Sequence, residues 1–226
     1  MSINKLLIAN RGEIAVRIAR AAADLGIPTV AVYPADDAEA LHTKVADQAV
    51  QLKGTGVPAY LDMQQLLEVA RATGCDAVHP GYGFLSENKA FAELREANGI
   101  TFVGPTPEVL GLLGDKARAR VLAQECSVPL IAGISEATTL EQAKAFFDSL
   151  GPNAAVVVKA IAGGGGRGMR IVRKREDLDE AFARCREEAQ AAFGNGELYV
   201  EQLVQRARHI EVQVIGDSRG EVSHLW

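Results

Sequence analysis

The sequence predicts an α/β protein, with a doubly wound parallel-sheet amino-terminal domain followed by a second domain of mixed α+β type. Three observations carry this: short β-rich runs alternate with amphipathic helical runs from Lys5 to about Val103, the pattern changes at Gly114-Asp115, and beyond that point strands stand on both sides of a glycine-rich loop. The first strand is Leu6 to Ala9. The helix Glu13 to Leu25 follows, with Ile14, Ile18, Ala21, Ala22 and Leu25 at helical spacing, and Gly26 with Pro28 stops it. A strand at Thr29 to Tyr33 and two more such pairs come next, with strands at Ala77 to His79 and Thr101 to Val103 on either side of a helix near Glu87 to Asn98. The stretch Gly54 to Pro58 is a loop within this domain and not a linker. The expected domains are therefore 1–114 and 115–226. The second begins with helices Lys116 to Glu125 and Thr139 to Leu150, then a strand Ala155 to Ala160, the glycine loop, a strand Met169 to Val172 and a helix Glu176 to Phe193. Strands at Leu198 to Gln202, His209 to Gly216 and Val222 to Leu225 complete it. No internal repeat is present.

The 226 residues carry 24 Lys plus Arg against 29 Asp plus Glu, a net charge of -5. No basic field is available for a nucleic-acid backbone or an anionic membrane, so neither is an expected partner. Cys75, Cys126 and Cys185 are odd in number, far apart and in no metal-ligand spacing, which fits a reducing compartment and excludes a zinc site built from them. Met1 to Lys5 leads straight into a strand without the features of a secretory signal, and no apolar run approaches the roughly 20 residues of a spanning helix. A cytoplasmic protein is expected. Glu221 to Trp226 reads as a strand with no tail after it, as an incomplete chain would end.

The strongest chemical signal is Ala162-Gly163-Gly164-Gly165-Gly166-Arg167-Gly168-Met169, because consecutive glycines forfeit backbone entropy that a special conformation or a close ligand must justify. Gly163, Gly165 and Gly168 match G-x-G-x-x-G, yet a strand follows where a dinucleotide fingerprint needs a helix. Met169-Arg170 also stand where a Walker loop needs Lys and Ser or Thr. The remaining readings are a lid folded over phosphates and a flexible surface hairpin, and the first is favoured because a plain hairpin needs only one or two glycines. Lys159 ends the apolar run Val156-Val157-Val158, so its ammonium either meets a phosphate or snorkels to water. Lys116 sits in the first turn of a helix, where the dipole disfavours a cation unless an anion is near; taken alone it reads as structural, as do Arg118 and Arg120. Alternation across Arg208 to Val214 puts His209, Glu211 and Gln213 on one face, either lining a site or facing solvent. In His79-Pro80-Gly81-Tyr82-Gly83-Phe84 a tyrosine between two glycines follows a parallel strand, exposed to a ligand or plugging a turn. In the turn Asn10-Arg11-Gly12-Glu13, either Arg11 binds an anion or Arg11 and Glu13 pair with neighbours.

Together, Leu7 to Ala15, His79 to Asn88, Gly114-Asp115-Lys116, Gly163 to Arg170 and Arg208 to Val214 resemble the biotin carboxylase family, in its order and approximate spacing and over the whole chain. The resemblance implies an ATP-grasp enzyme that converts bicarbonate and MgATP to carboxyphosphate and then carboxylates N1 of biotin. It makes 115–226 an incomplete ATP-grasp domain with its lid at about 130–204. It further implies that Lys116 and Lys159 contact ATP phosphates, that Gly165 and Gly166 belong to the lid loop and that Met169 lies against adenine. The backbone of Glu201, Gln202, Leu203 and Val204 would read the adenine edge, His209 would hold the ribose side, and Tyr82 and Gly83 would lie beside biotin. The implied cofactors and substrates are ATP, Mg2+, biotin and bicarbonate. The implied partners are a biotin carboxyl carrier protein or domain, a carboxyltransferase and, through the region of Arg20 and Asp24, a second copy of the parent enzyme.

Gln202 departs from a lysine common in the family and Ala207 from a proline, and neither disturbs a backbone contact. The family's magnesium glutamates, its bicarbonate-side lysine and histidine and its biotin-activating arginine are expected beyond Trp226. No catalytic or metal residue is therefore expected within the chain, which alone should not turn over ATP. Acyl-CoA carboxylase, with fatty acid biosynthesis, and pyruvate carboxylase are both possible parents. The competing readings are another ATP-grasp ligase, such as a carbamoyl-phosphate synthetase relative, and a non-catalytic nucleotide-binding fragment.

Overall fold

A computed structural model describes residues 3–134, 136–162, 168–217 and 219–225, without the side chains of 116 and 117. It divides into two compact units, Met1–Ala119 and Arg120–Trp226.

The first unit runs β1 (Leu6–Ile8), α1 (Gly12–Asp24), β2 (Thr29–Tyr33), α2 (Leu41–Val45), β3 (Gln48–Gln51), α3 (Gly56–Tyr60), α4 (Met63–Thr73), β4 (Ala77–His79), α5 (Lys89–Glu96), β5 (Thr101–Phe102) and α6 (Pro107–Leu113). Its five strands are parallel in the order β3-β2-β1-β4-β5, so the chain reverses direction across the sheet between β1 and β4. The doubly wound sheet expected from the alternating pattern is present. Leu6, Ile8 and Ala77 pack with Ala15, Ile18 and Ala22 of α1 on one face. Leu7, Val30, Val32 and Val78 pack with Leu66, Ala70 and Phe91 of α4 and α5 on the other, which is why the strands read as continuous apolar runs. Polar side chains start the helices: Asp62 accepts from the Gln65 amide (3.0 Å) and Asn88 from the Phe91 amide (2.9 Å). The helix expected at Glu87 to Asn98 spans Lys89–Glu96, its start set by the Asn88 cap.

A further helix, α7 (Lys116–Glu125), leads to β6 (Gly133–Ile134), α8 (Leu140–Ser149), β7 (Val156–Ala160), β8 (Met169–Val172), α9 (Leu178–Phe193), β9 (Leu198–Gln202), β10 (Gln213–Gly216) and β11 (Val222–Leu225). The order β6-β9-β7-β8 is antiparallel throughout. One face, with Val156, Val158, Ala160, Val172, Leu198 and Val200, packs on Ala143 and Phe147 of α8 and Leu178, Phe182, Cys185 and Ala189 of α9. A capping box between Thr139 and Gln142 opens α8, and left-handed Gly194 closes α9. The strand expected at His209 to Gly216 is shorter, Gln213–Gly216, and among the described residues it pairs with β11 from Gln213 opposite Leu225. No helix among the described residues is long and apolar enough to cross a membrane.

Candidate functional site

Two groups of residues singled out in the sequence are described, one in each unit. In the first, the loops after β1 and β4 lie at the sheet's reversal point. Asn10 is buried and donates from Nδ2 to the carbonyls of Pro80 (2.6 Å) and Tyr82 (2.8 Å). The Gly81 amide donates to His79 Nδ1 (3.0 Å), and burial lowers the pKa of that imidazole. Tyr82 is 61% exposed, so it is not a packing plug, and its hydroxyl donates to Glu13 Oε1 (2.7 Å). Accepting that bond, together with its negative charge, Glu13 raises the Tyr82 pKa. Gly83 has φ of +64°.

Arg11 pairs with a neighbour, its guanidinium standing 3.2 Å from Asp37 Oδ2 and 5.8 and 5.9 Å from the Tyr60 and Phe84 ring centres. Tyr60 donates to the same Asp37 carboxylate (2.8 Å). Burial pushes Asp37 upward, but the hydrogen bonds from Tyr60 and Arg11 and the Arg11 charge outweigh it and hold the carboxyl below its ordinary range.

In the second unit, Lys159 and Met169 are direct register partners, and Glu201 faces Val157 two pairs further along. Alternation puts Val157, Lys159, Met169, Ile171, Tyr199 and Glu201 on the sheet face away from α8 and α9. Lys159 and Glu201 form an ion pair, both half-buried. The lysine therefore neither snorkels freely nor lacks an anion: its partner is a carboxylate that no local pattern in the sequence indicated. Met169 is exposed beside it. Tyr199 is buried, and burial followed by the Glu201 charge pushes its hydroxyl up to about 12.

At the foot of the glycine loop the Gly168 carbonyl accepts from the Ala160 amide (2.8 Å) and the Cys185 thiol (2.8 Å). Gly168 has φ of +64°, and a Cβ there would fall 2.9 Å from Ala160 Cβ, so only glycine fits. Cys185 is a buried donor whose pKa burial pushes up to about 11. Sequence reasoning had assigned it no role. Gly165 and Gly166 lie outside the described residues, as does the side chain of Lys116; the Asp115 carboxylate accepts from the Arg118 amide (3.1 Å) at the start of α7.

The Gln202 and Leu203 amides donate to the Ala132 and Ala155 carbonyls (both 2.8 Å). These two amides are thus committed to the sheet, whereas no partner among the described residues falls to the Val204 amide. His209 stands apart on an irregular exposed segment, its Nε2 2.7 Å from Glu211 Oε1. Arg20 and Asp24 form no ion pair among the described residues; they border a groove of about 560 Å³ lined with Ile14, Ile18, Leu25 and Ile27. Among the described residues no group of three or more His, Cys, Asp or Glu side chains fits a metal ion.

A parallel α/β domain is thus followed by an antiparallel sheet with α8 and α9 on one face and Lys159, Met169 and Glu201 on the other. Residues 2–110 match the model for the biotin carboxylase N-terminal domain, and residues 115–226 that for the ATP-binding domain of the carbamoyl-phosphate synthase L chain. The chain belongs to the biotin carboxylase family. Pyruvate carboxylase of Bacillus subtilis is 49% identical over 229 residues, covering 100% of this chain and 20% of its own length. Mitochondrial pyruvate carboxylase of Mus musculus is 47% identical over 228 residues, covering 99% of this chain and 19% of its own.

Among solved structures, a complex of Campylobacter jejuni biotin carboxylase with β,γ-ATP superposes with a TM-score of 0.92 at 42% identity, covering 99% of this chain and 50% of that one. The biotin carboxylase domain dimer of Hydrogenobacter thermophilus 2-oxoglutarate carboxylase, in complex with MgADP, ADP and bicarbonate, gives 0.91 at 43%, covering 99% and 49%. The chain thus spans about a fifth of these curated relatives and about half of these solved chains.

Proposed function

We propose that this chain is the ATP-binding half of a biotin carboxylase whose complete form activates bicarbonate with MgATP to carboxyphosphate and carboxylates N1 of biotin on a carrier protein. The observation that carries the proposal is the β7–β8–β9 face, where Lys159, Met169 and Glu201 stand together beside the foot of the glycine loop. On this reading Lys159 leaves Glu201 for an ATP phosphate, a stronger anion held by the same ammonium. Lys116, with Gly165 and Gly166 of the lid, supplies further phosphate contacts. Met169 lies flat on the adenine. The Val204 amide is the donor of the Glu201–Val204 segment left to read the adenine edge, and His209 reaches the ribose. Tyr82 and Gly83 form the surface against which biotin rests. The residues described here do not fit a magnesium site, so no step is assigned to a metal on this chain.

A carrier protein or domain, a carboxyltransferase and a second copy of the enzyme are the partners this function requires. Of the named relatives, those whose names state an acceptor are pyruvate and 2-oxoglutarate carboxylases, which favours a keto-acid acceptor and lends no support to an acyl-CoA acceptor or to fatty acid biosynthesis. The free thiols fit a reducing, cytoplasmic setting.

The test is ADP release by the complete gene product given MgATP and bicarbonate, with and without free biotin. Strong stimulation by biotin is expected. ATP turnover indifferent to biotin would assign the nucleotide grip to another ligase, and no turnover at all would leave a nucleotide-binding fragment.

A further inference from the structure

An open parallel sheet ordinarily leaves a ligand crevice at the point where its strand order reverses. Here that point, between the ends of β1 and β4, is filled by Asn10, which is 4% exposed. Both hydrogens of its amide serve one turn 70 residues away, donated to the Pro80 and Tyr82 carbonyls at 2.6 and 2.8 Å, while Oδ1 accepts from the Arg11 amide at 2.8 Å. The turn has little shape of its own: Gly81, Gly83 and Phe84 all have positive φ (+65°, +64° and +42°). A Cβ on Gly81 would lie 2.8 Å from Asn10 Nδ2, so the Asn10 side chain packs directly against the turn at Gly81. The only other side-chain bond made by Tyr82 among the described residues is from its exposed hydroxyl to Glu13.

We propose that Asn10 is a positioning residue for the acceptor side of the reaction, fixing the Tyr82-Gly83 turn in the shape that receives biotin; this rests on the biotin carboxylase reading above. A buried amide that donates to two carbonyls of one turn sets their spacing and direction, and with them the orientation of the peptide between Tyr82 and Gly83. The reversal point of this sheet then shapes a turn instead of admitting a ligand.

The experiment is steady-state kinetics on the complete gene product carrying Asn10→Asp, which keeps the volume and the acceptor for the Arg11 amide but sets an oxygen against the two carbonyls. The KM for free biotin is expected to rise about tenfold or more, with the KM for ATP within about twofold of the unsubstituted enzyme. Gly81→Ala presses on the same contact from the other side and is expected to shift the same constant in the same direction. Backbone amide exchange over residues 81–86 is expected to quicken in both variants. An unchanged biotin KM with quickened exchange overturns the proposal, since the turn would have loosened without biotin sensing it. Equal rises in the KM for biotin and for ATP also overturn it, because Asn10 would then support the whole domain. If Asn10→Asp does not fold, Gly81→Ala decides on the same criteria. An unsubstituted enzyme whose ADP release ignores biotin defeats the biotin carboxylase reading itself, and the inference with it, a result distinct from failure of the variant alone.

Discussion

In the first domain the polar groups at the ends of β1 and β4 are spent on one another: Asn10 on Pro80 and Tyr82, Glu13 on Tyr82, Arg11 on Asp37. In the second, Lys159 and Glu201 share a half-buried ion pair on a sheet face where Met169 and Ile171 remain exposed. The parallel sheet is covered on both faces, so only its loop ends are left for recognition, and there Asn10 holds two backbone carbonyls while the charges of Arg11 and Glu13 are already engaged by Asp37 and Tyr82. The antiparallel sheet needs cover on one face only, and the other carries a charge pair that an anionic ligand can split. Shape is built into the first domain and charge into the second.

The sharpest way to break this contrast is Lys159→Met in the complete gene product, expected to lower kcat/KM for ATP by about a hundredfold or more. A loss of less than about threefold would deny the second domain its charged role. Next in size is Gly168→Ala, which forces a side chain against Ala160 in a left-handed backbone and is expected to cost about 1–3 kcal/mol of second-domain stability in urea unfolding. An unchanged midpoint would mean that the loop's foot is not fixed by the sheet.

Asp37→Asn tests the first domain. It removes a carboxylate that accepts from Tyr60 and pairs with Arg11, and is expected to cost about 1–2 kcal/mol at neutral pH. Because the folded-state pKa of Asp37 lies below its ordinary 3.8, the stabilisation is complete above that value and is lost as pH falls through the lower, folded one. The two proteins should therefore converge in strong acid, and a constant gap at every pH would refute the charge contribution.

The smallest effect is expected from His42→Phe. His42 is buried with Nε2 3.2 Å from the Val32 carbonyl, and burial lowers its pKa below 6.5. The unfolded chain takes up a proton that the folded one refuses, so stability should decline as pH drops from about 6.5, and the variant should show a shallower decline. His79, lowered in the same way, accounts for the slope that remains. Identical slopes would remove His42 from the linkage.

Much of this was legible in the residues alone. Helical spacing in Ile14, Ile18 and Ala22 marked α1, and the strand after the glycine loop separated it from a dinucleotide fingerprint. The end of the second domain was less legible: alternation across Arg208 to Val214 suggested a strand through His209, yet hydrogen-bonded pairing starts only at Gln213. Alternation records which side chains share a side, and a strand also needs a neighbour to pair with.

The sequence by itself determined the main alternation of strands and helices, though not the short β6 and α6, together with the glycine loop and the place of Lys159, because periodicity and backbone freedom are local properties. Only the tertiary structure decided the partners. Asn10 reaches Tyr82 across 72 residues and Lys159 reaches Glu201 across 42. Such meetings are set by strand order and register, which bring distant residues side by side without leaving a mark on the sequence near either one.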